Sequence, residues 1–207
     1  KYIEIKGHSI QSTDTDPALY AGAWASGGNL NTGRRHLNSC GTTTAGLTAG
    51  GFITATSALS EEYNGSTWTE GNDLNTARHY SGMTGTQTAG LVSGGSPGNK
   101  NESEEYNGTS WAEGNDLNTA RHGASSLGIQ TAAVIVGGQV TSTVNASSEE
   151  YNGTSYTEGN DLGTARYMTG RAGILTAGLI AGGWNGSANQ ALAESYNGTS
   201  WTEVGDI

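Results

Sequence analysis

One phrase of about twenty residues recurs through this chain, and its period restricts the possible folds more than any other feature. The phrase "EEYNGTSWAEGNDLNTARHG" begins at Glu104, near copies begin at Glu61 and Glu149, and a shortened copy begins at Glu194. An arginine recurs with the phrase at intervals of 44, 43 and 45 residues, as Arg34, Arg78, Arg121 and Arg166. Repeats of this length are typical of propellers, solenoids and repeat arrays.

Further landmarks keep a fixed register within each repeat. The arginine is followed after 16 residues by a Gly-Gly pair, and a tyrosine is followed after 5 residues by a second aromatic residue. The tyrosines are Tyr63, Tyr106, Tyr151 and Tyr196, and the second aromatics are Trp68, Trp111, Tyr156 and Trp201. The length varies only between Gly-Gly and the tyrosine, so the repeat predicts one variable loop on a constant scaffold.

Each repeat predicts four short strands, called a to d here. The second is the most apolar, as in "TAAVIVGG" (131–138), and the third and fourth meet at Asn-Gly. An Asn-Gly pair suits the two central residues of a type I′ hairpin. Because no segment keeps a helical period, the sequence predicts an all-β chain. Four-stranded units in series favour a β-propeller, with a solenoid as the alternative.

The order Gly-Gly, Tyr, Trp, Leu and Arg resembles the kelch motif over residues 20–207. Segments such as "EEYNGTSW" resemble in particular the divergent kelch-like repeats of bacteriophage tail and other virion-associated proteins. The resemblance implies a propeller that serves as a binding or structural module, seldom as an enzyme. It also implies a virion or extracellular location.

The ends of the chain depart from the usual kelch pattern, in which the two termini share one blade. Four repeats are complete, and they cover 34–77, 78–120, 121–165 and 166–207. Residues 1–33 predict a partial blade, with a strand-like "KYIEIKG" and a hairpin-like pair, Tyr20 and Trp24. We favour five blades; the alternative is a ring of four, with this segment packed outside it or paired with another subunit.

Charge and composition exclude several classes of partner. The formal net charge of −10 disfavours nucleic acids and anionic membranes, and no apolar run is long enough to span a bilayer. The one cysteine, Cys40, cannot form an internal disulfide and is expected to be a buried small side chain. We therefore expect no cofactor, no membrane insertion and no cysteine metal site.

The strand order predicts which loops share a face. The a–b and c–d turns lie on one face, and the b–c and d–a connections lie on the other. The variable-loop face is our name for the second, and its b–c loops are 52–60, 96–103, 139–147 and 184–193. Loops on a rigid scaffold carry function more often than the scaffold itself does, so this face is the predicted binding face.

The strongest ligand-binding candidates lie in the last variable loop. Trp184 stands beside Asn185 and Asn189, and such a group can stack on a sugar ring while the amides bind its hydroxyls. The alternative is that Trp184 only covers the end of its own blade. Asn99 and Asn101 in the second variable loop are weaker candidates of the same kind.

The other recurring polar residues are expected to serve the fold. The four arginines are expected to pair with Glu61, Glu104, Glu149 and Glu194, although a ring of arginines for an acidic ligand is the alternative. The acids Asp73, Asp116, Asp161 and Asp206, with Asp14 and Asp16, could bind Ca²⁺, but caps of backbone N–H groups are favoured.

The remaining motifs predict no catalytic or metal centre. His36, His79 and His122 follow the arginines, and the repeat symmetry predicts that they are spread apart. Sequons occur at Asn64, Asn101, Asn107, Asn145, Asn152, Asn185 and Asn197, and four of them are the hairpin Asn-Gly itself. No nucleophile motif or phosphate-binding loop is present in the sequence.

The sequence therefore favours a non-enzymatic propeller that recognises a surface glycan or a partner protein. A purely structural decoration or spacer subunit, held in an oligomer by its N-terminal segment, is the alternative, and a propeller glycosidase is less favoured. Since one blade is too small to bury its own core, stability should come from contacts between neighbours. This predicts burial of Tyr106, Trp111, Leu117, Val134 and Ile135.

Overall fold

A computed structural model describes residues 26–207, and all its regular elements are β-strands, as predicted. Sheet 1 comprises β1 (Asn38–Thr42), β2 (Ala45–Ala49), β3 (Ser60–Tyr63) and β4 (Trp68–Glu70); sheet 2 comprises β5 (Gly82–Thr86), β6 (Ala89–Gly95), β7 (Lys100–Tyr106) and β8 (Trp111–Glu113). Sheet 3 comprises β9 (Ser125–Ile129), β10 (Ala132–Val136), β13 (Ser148–Tyr151) and β14 (Tyr156–Glu158); sheet 4 comprises β15 (Gly170–Ile174), β16 (Ala177–Ala181), β17 (Ala193–Tyr196) and β18 (Trp201–Val204). The hairpin of β11 (Gln139–Val140) and β12 (Thr143–Val144) lies in the third variable loop.

Each sheet is an antiparallel meander in chain order, so every repeat forms one sheet. The predicted N-terminal strand, the Tyr20 and Trp24 pair, Asp14 and Asp16 lie outside the described residues. The described range offers no helix that is long and apolar enough to span a bilayer.

The hairpin between the third and fourth strands differs from the predicted type I′ turn. The N–H of Asn64 donates to the carbonyl of Thr67, so Gly65 and Ser66 are the two central residues. Of these two, only Gly65 has a positive φ, 93°, whereas a type I′ turn requires a positive φ at both. The Asn64 side chain instead accepts the N–H groups of Ser66 and Thr67, at 3.0 and 2.9 Å. Its role is to cap the turn.

The core lies between consecutive sheets. In the first interface, Leu47 of sheet 1 and Leu74 of the connection after β4 pack with Tyr106 and Trp111 of sheet 2. The same arrangement recurs between sheets 2 and 3 and between sheets 3 and 4. The five residues predicted to be buried are confirmed, with exposures of 0 to 6%: Tyr106, Trp111, Leu117, Val134 and Ile135. Each Tyr–aromatic hairpin of sheets 2 to 4 thus packs against the sheet that precedes it.

Buried ion pairs join the start of each repeat to its third strand, which confirms the predicted partners. The pairs are Arg34–Glu61, Arg78–Glu104, Arg121–Glu149 and Arg166–Glu194, at 2.6 to 2.8 Å between nitrogen and oxygen. Because a buried charge is tolerated only when it is paired and hydrogen-bonded, these arginines serve the fold. They do not form an exposed ring for an acidic ligand.

The same glutamates carry out the capping that we predicted for the aspartates. Glu104 accepts the backbone N–H groups of Asn75 and Thr76, at 2.6 and 3.1 Å. Within the described range, Asp116 accepts a side-chain bond from Asn101, and no aspartate accepts a backbone N–H. The prediction for the aspartates is therefore wrong, because a buried glutamate already occupies those N–H groups.

The four first strands surround a common axis. Cys40, Thr84, Leu127 and Ala172, one from each sheet, line a single cavity there. At one end of this axis, backbone hydrogen bonds link successive sheets. The N–H of Tyr80 donates to the carbonyl of His36 at 3.1 Å, that of Gly123 to the carbonyl of Tyr80 at 2.7 Å, and that of Met168 to the carbonyl of Gly123 at 2.9 Å. Among residues 26–207 the fourth such bond, from His36 to Met168, is not formed. The three bonds that are formed join sheets 1, 2, 3 and 4 in series.

Candidate functional site

The two predicted faces are present. On one, the c–d turns contact the a–b turns: a Cβ at Gly65 would lie 3.4 Å from the Cα of Thr44. On the variable-loop face, each variable loop begins with a backbone bridge to the residue after the repeated arginine. The bridges are Arg35–Phe52, His79–Ser96, His122–Gln139 and Tyr167–Trp184. This face therefore combines a constant backbone frame with side chains that differ in every repeat.

A cavity of about 450 Å³ opens on this face in sheet 4. Its lining residues include Tyr167, Met168, Trp184, Asn189 and Gln190. Tyr167 and Trp184 exchange both backbone hydrogen bonds at 3.1 Å, which holds their side chains at one site. Both aromatic residues are half-buried, whereas Asn189 is exposed. The cavity thus offers aromatic surface beside amide donors and acceptors, a combination that suits an amphipathic ligand.

The structure brings together two of the five predicted ligand-binding residues, Trp184 and Asn189. Asn185 is half-buried in the same loop, where its Oδ1 accepts the N–H groups of Ser187 and Ala188 at 2.9 and 2.8 Å. Its carbonyl group is therefore occupied by its own turn.

The other two predicted residues lie in the second variable loop, and their side chains have protein partners. Asn99 Oδ1 lies 2.6 Å from His122 Nδ1. Asn101 Nδ2 donates to Asp116 at 3.1 Å. Neither residue lines the cavity of Trp184.

A group of rings, the mouth cluster, occupies the end of the axis on this face; it comprises His36, Phe52, His79, Tyr80 and His122. The rings of His36 and Tyr80 stack with centroids 4.0 Å apart, and His36 Nε2 lies 2.8 Å from Tyr80 Oη. Phe52 packs edge-on against His79 at 5.4 Å, and Tyr80 lies 6.3 Å from His122. The histidines are therefore not spread apart as predicted.

The cause of this difference is a shift of one position in the repeat. His36 aligns with Tyr80, not with His79, and both His36 and Tyr80 have a positive φ, 56° and 54°. The left-handed backbone redirects the chain at this position, and the rings of neighbouring sheets meet there. The centroids of His36 and His79 are consequently only 6.3 Å apart.

The surroundings of two histidines in the mouth cluster, His79 and His122, favour their neutral form. Burial lowers the pKa of His79, and the nearby charges of His36, His122 and Arg35 lower it further. Burial also lowers the pKa of His122. Within the described range, no group of three or more His, Cys, Asp or Glu residues is arranged to hold a metal ion. The cluster therefore presents rings with polar nitrogen atoms at neutral pH.

Sequence reasoning missed Tyr167, Met168, Gln190 and the mouth cluster as parts of this face. The sequence did contain a signal for these residues, because the two residues directly after the repeated arginine differ in every repeat. They read Arg-His at 35–36, His-Tyr at 79–80, His-Gly at 122–123 and Tyr-Met at 167–168. Variation at these positions inside an otherwise repeated phrase marks side chains that the scaffold does not dictate.

The axial cavity bears on the glycosidase alternative. Among the described residues that line it, Met83, Leu127 and Arg171 carry the largest side chains, and none of the lining residues is Asp or Glu. Glycoside hydrolysis normally requires two carboxylates flanking the scissile bond. The alternative therefore lacks a carboxylate pair in the described part of this cavity.

Comparison with family models and with curated proteins gives no match from which residue roles could be transferred. No family model matches the chain, and no curated protein matches it. The kelch-like resemblance consequently rests on the repeated residues quoted above, and the binding residues must be argued from geometry alone.

Proposed function

We propose that the chain is a kelch-like β-propeller whose blades are the four-stranded sheets, and that it acts as a non-enzymatic binding module. The arrangement of four first strands about one axis supports the propeller. The packing of each Tyr–aromatic hairpin on the preceding sheet supports it as well. The virion or extracellular location rests on the resemblance alone.

We propose five blades, with residues 1–33 contributing the fifth, and keep four as the alternative. The contacts that the segment before the first repeated arginine makes with sheet 1 support the fifth blade. A Cβ at Gly27 would lie 3.4 Å from Tyr63 Oη, and one at Gly71 would lie 3.5 Å from Tyr106 Oη. Asn31 donates its N–H to Glu61 at 2.7 Å, as Asn75 does to Glu104 at 2.6 Å. The segment thus enters sheet 1 as if it came from a preceding blade.

Electron-microscopy averages viewed down the axis test the blade number. Five lobes are expected for the full chain. A closed ring of four lobes would contradict the five-blade proposal and leave the propeller intact, whereas an elongated stack of sheets would contradict both.

The proposed ligand is a neutral glycan, bound on the variable-loop face. The observation that carries this proposal is the cavity where Tyr167 and Trp184 lie beside Asn189 and Gln190. An aromatic ring can cover the apolar face of a sugar, and amides can hydrogen-bond its hydroxyls. Because the chain has a formal net charge of −10, a neutral sugar suits this surface better than an acidic one.

A glycan array with matched variants tests the ligand. The parent chain should bind a set of neutral glycans, and Trp184→Ala should abolish that binding. Ile129→Ala is the control, since Ile129 is 49% exposed at the a–b turn on the opposite face. Retention of binding by Trp184→Ala would exclude this cavity as the site. The absence of binding to any glycan would favour a protein ligand or the structural role.

The structural alternative also has a specific observation in its favour, namely the exposed outer sides of sheets 1 and 4. Leu179 is 41% and Val204 is 39% exposed on sheet 4, and Tyr63 and Trp68 line a cavity of about 430 Å³ on sheet 1. If the chain is a decoration or spacer subunit held by its N-terminal segment, deletion of residues 1–19 should abolish assembly while the sheets stay folded. Sedimentation and circular dichroism measure the two effects separately, and normal assembly of the truncated chain would exclude this version.

A further inference from the structure

Arg171 differs from the repeated arginines in its surroundings. It extends from β15 in sheet 4 towards sheet 2, where its Nη2 donates to the carbonyl of Met83 at 3.2 Å. It lines both cavities on the axis, of about 220 and 90 Å³. Within residues 26–207 this is the one hydrogen bond of its guanidinium, and it forms no ion pair there. Four of its five N–H donors therefore remain available.

The described walls of these cavities contain no counter-charge for Arg171. Among the described residues that line the two cavities, none is Asp or Glu. The nearby thiol of Cys40 is neutral, because burial raises its pKa to about 12. Burial also lowers the pKa of Arg171, but a guanidinium stays protonated in proteins. Among residues 26–207 the axis thus contains a half-buried guanidinium with no anionic partner, and an anion in the cavity would satisfy its free donors.

A second polar group on the same wall lacks a partner. Ser126 lines the larger cavity and is 3% exposed, and its buried Oγ makes no hydrogen bond in the described part of the chain. The hydroxyl of Thr84, also on this wall, donates to the carbonyl of Gly128 at 2.6 Å and keeps its lone pairs free. The hydroxyl of Ser126 is therefore free to donate, unlike that of Thr84, but it lies against Gly82, where a Cβ would be 2.1 Å away, and it reaches the cavity by rotating its side chain.

We propose that the axial cavity binds a small oxyanion, with Arg171 as its cationic partner and Ser126 as a second donor. The planar fork of a guanidinium matches two oxygens of a carboxylate, phosphate or sulfate group. A cavity of about 220 Å³ exceeds several-fold the roughly 30 Å³ that one water occupies, so such a group fits. The site lies on the axis and is independent of the glycan cavity of Trp184.

Titration calorimetry with the full chain tests this site. Sodium phosphate, sulfate and acetate are titrated separately at constant ionic strength set by chloride, so that screening does not imitate binding. The expected result is saturable binding of at least one of them, weakened about tenfold or more by Arg171→Met, since a bidentate charged contact is lost. Ser126→Ala should weaken it by about threefold. The matched control, Arg35→Met, removes an exposed arginine that lies over Phe52, and it should leave the affinity unchanged.

A further variant and the comparison of the three anions complete the titration experiment. Arg171→Lys retains the charge without the fork, and it should bind more tightly than Arg171→Met if that variant is folded by circular dichroism. If Arg171→Met does not fold, Ser126→Ala and Arg171→Lys carry the test. Preference for acetate over phosphate and sulfate would identify a carboxylate ligand, and the reverse a tetrahedral one. Absence of saturable binding at millimolar concentrations, or equal affinity in the parent and Arg171→Met, would overturn the proposal.

Discussion

Sheets 2 and 4 have nearly the same repeated sequence but bury it differently. Leu91 in sheet 2 is 1% exposed and packs with Tyr151 of sheet 3, whereas Leu179, its counterpart in sheet 4, is 41% exposed. Ile180, on the other side of the same strand, is 0% exposed because it packs against sheet 3. Burial in this chain is therefore determined by the neighbouring sheet, as expected for a repeat array in which stability lies in the interfaces.

Sheet 4 also differs in sequence where it would meet a further sheet. At each internal interface, a tyrosine of the following sheet donates to a glutamate of the preceding one: Tyr106 to Glu62, Tyr151 to Glu105 and Tyr196 to Glu150. Ser195 occupies the glutamate position in sheet 4, and Val204 replaces the glycine that lies beside the incoming hydroxyl elsewhere. The outer side of sheet 4 is consequently not built for another copy of the repeat, and a segment that covers it must contact it differently.

The largest effect is expected from removing an internal ion pair. Arg121 donates to the carbonyls of Gly137 and Ser147 and to Glu149, whereas Arg34 in the first repeat has only its bond to Glu61, with Nε and Nη2 unpartnered in the described range. Arg121→Met should lower the free energy of unfolding by about 3–5 kcal/mol, because it leaves a buried carboxylate uncompensated. Arg34→Met should cost less, as measured by urea unfolding. Equal losses would show that the first repeat is as tightly held as the internal ones.

The second-largest loss of stability is expected from removing an aromatic anchor between two sheets. Trp111 is 6% exposed in the first interface, while Trp68 in sheet 1 is half-buried. Trp111→Ala should cost about 3 kcal/mol or more through the cavity that it leaves, and Trp68→Ala should cost less. Lys100→Ala serves as the control and should change stability by no more than about 0.5 kcal/mol. If Trp111→Ala melts like the parent, the kelch-like register is wrong.

The two leucines of the opening comparison give a smaller and more informative difference. Leu91→Ala should cost about 2–3 kcal/mol, whereas Leu179→Ala should cost about 1 kcal/mol or less because its side chain is partly in water. Both losses can be read from thermal or urea unfolding at several protein concentrations. A large loss for Leu179→Ala would show that sheet 4 is covered in solution. Dependence on concentration would identify a second copy as the cover.

The repeated register made much of the fold predictable. A fixed spacing between Arg34 and Gly50, or between Tyr63 and Trp68, holds in every repeat, so one reading of the strands applies to all four sheets. The ion-pair partners followed from charge alone, since a recurring arginine needs a recurring acid. These predictions succeeded because they depended on contacts within one repeat, which the sequence states four times.

Predictions failed where a neighbouring segment outweighs a local rule. An isolated Asn-Gly favours a type I′ turn, but here Gly65 lies against Thr44 of the adjacent turn and Asn64 becomes a cap. The binding cavity was only half predictable for a related reason. Tyr167 and Trp184 meet through a backbone bridge between the start of one strand pair and the loop after it, and no spacing rule indicates which side chains such a bridge brings together.

The smallest expected effect concerns pH and separates the mouth cluster from the rest of the variable-loop face. The native pKa values of His79 and His122 are lowered from 6.5, mainly by burial, while the unfolded chain keeps values near 6.5. Between the lowered native values and about pH 6.5, the unfolded chain binds more protons, so the free energy of unfolding falls as the pH drops through this window and is regained above it. The groups that face His79 are His36, His122, Tyr80, Phe52 and Arg35, and of these Arg35 adds a positive charge that opposes protonation.

Thermal melts should therefore show a midpoint a few degrees lower at pH 5.5 than at pH 7.5, with most of the change between pH 6.5 and 5.5. Both histidines are partly exposed, so solvent screening keeps the effect small. His79→Gln should reduce this difference, because it removes one of the two groups whose pKa is lowered by folding. Ser96→Ala, which changes the neutral residue bridged to His79, should leave the difference as in the parent. If the parent becomes more stable on acidification in this window, the mouth cluster carries its protons in the folded state and the sign of the argument is reversed.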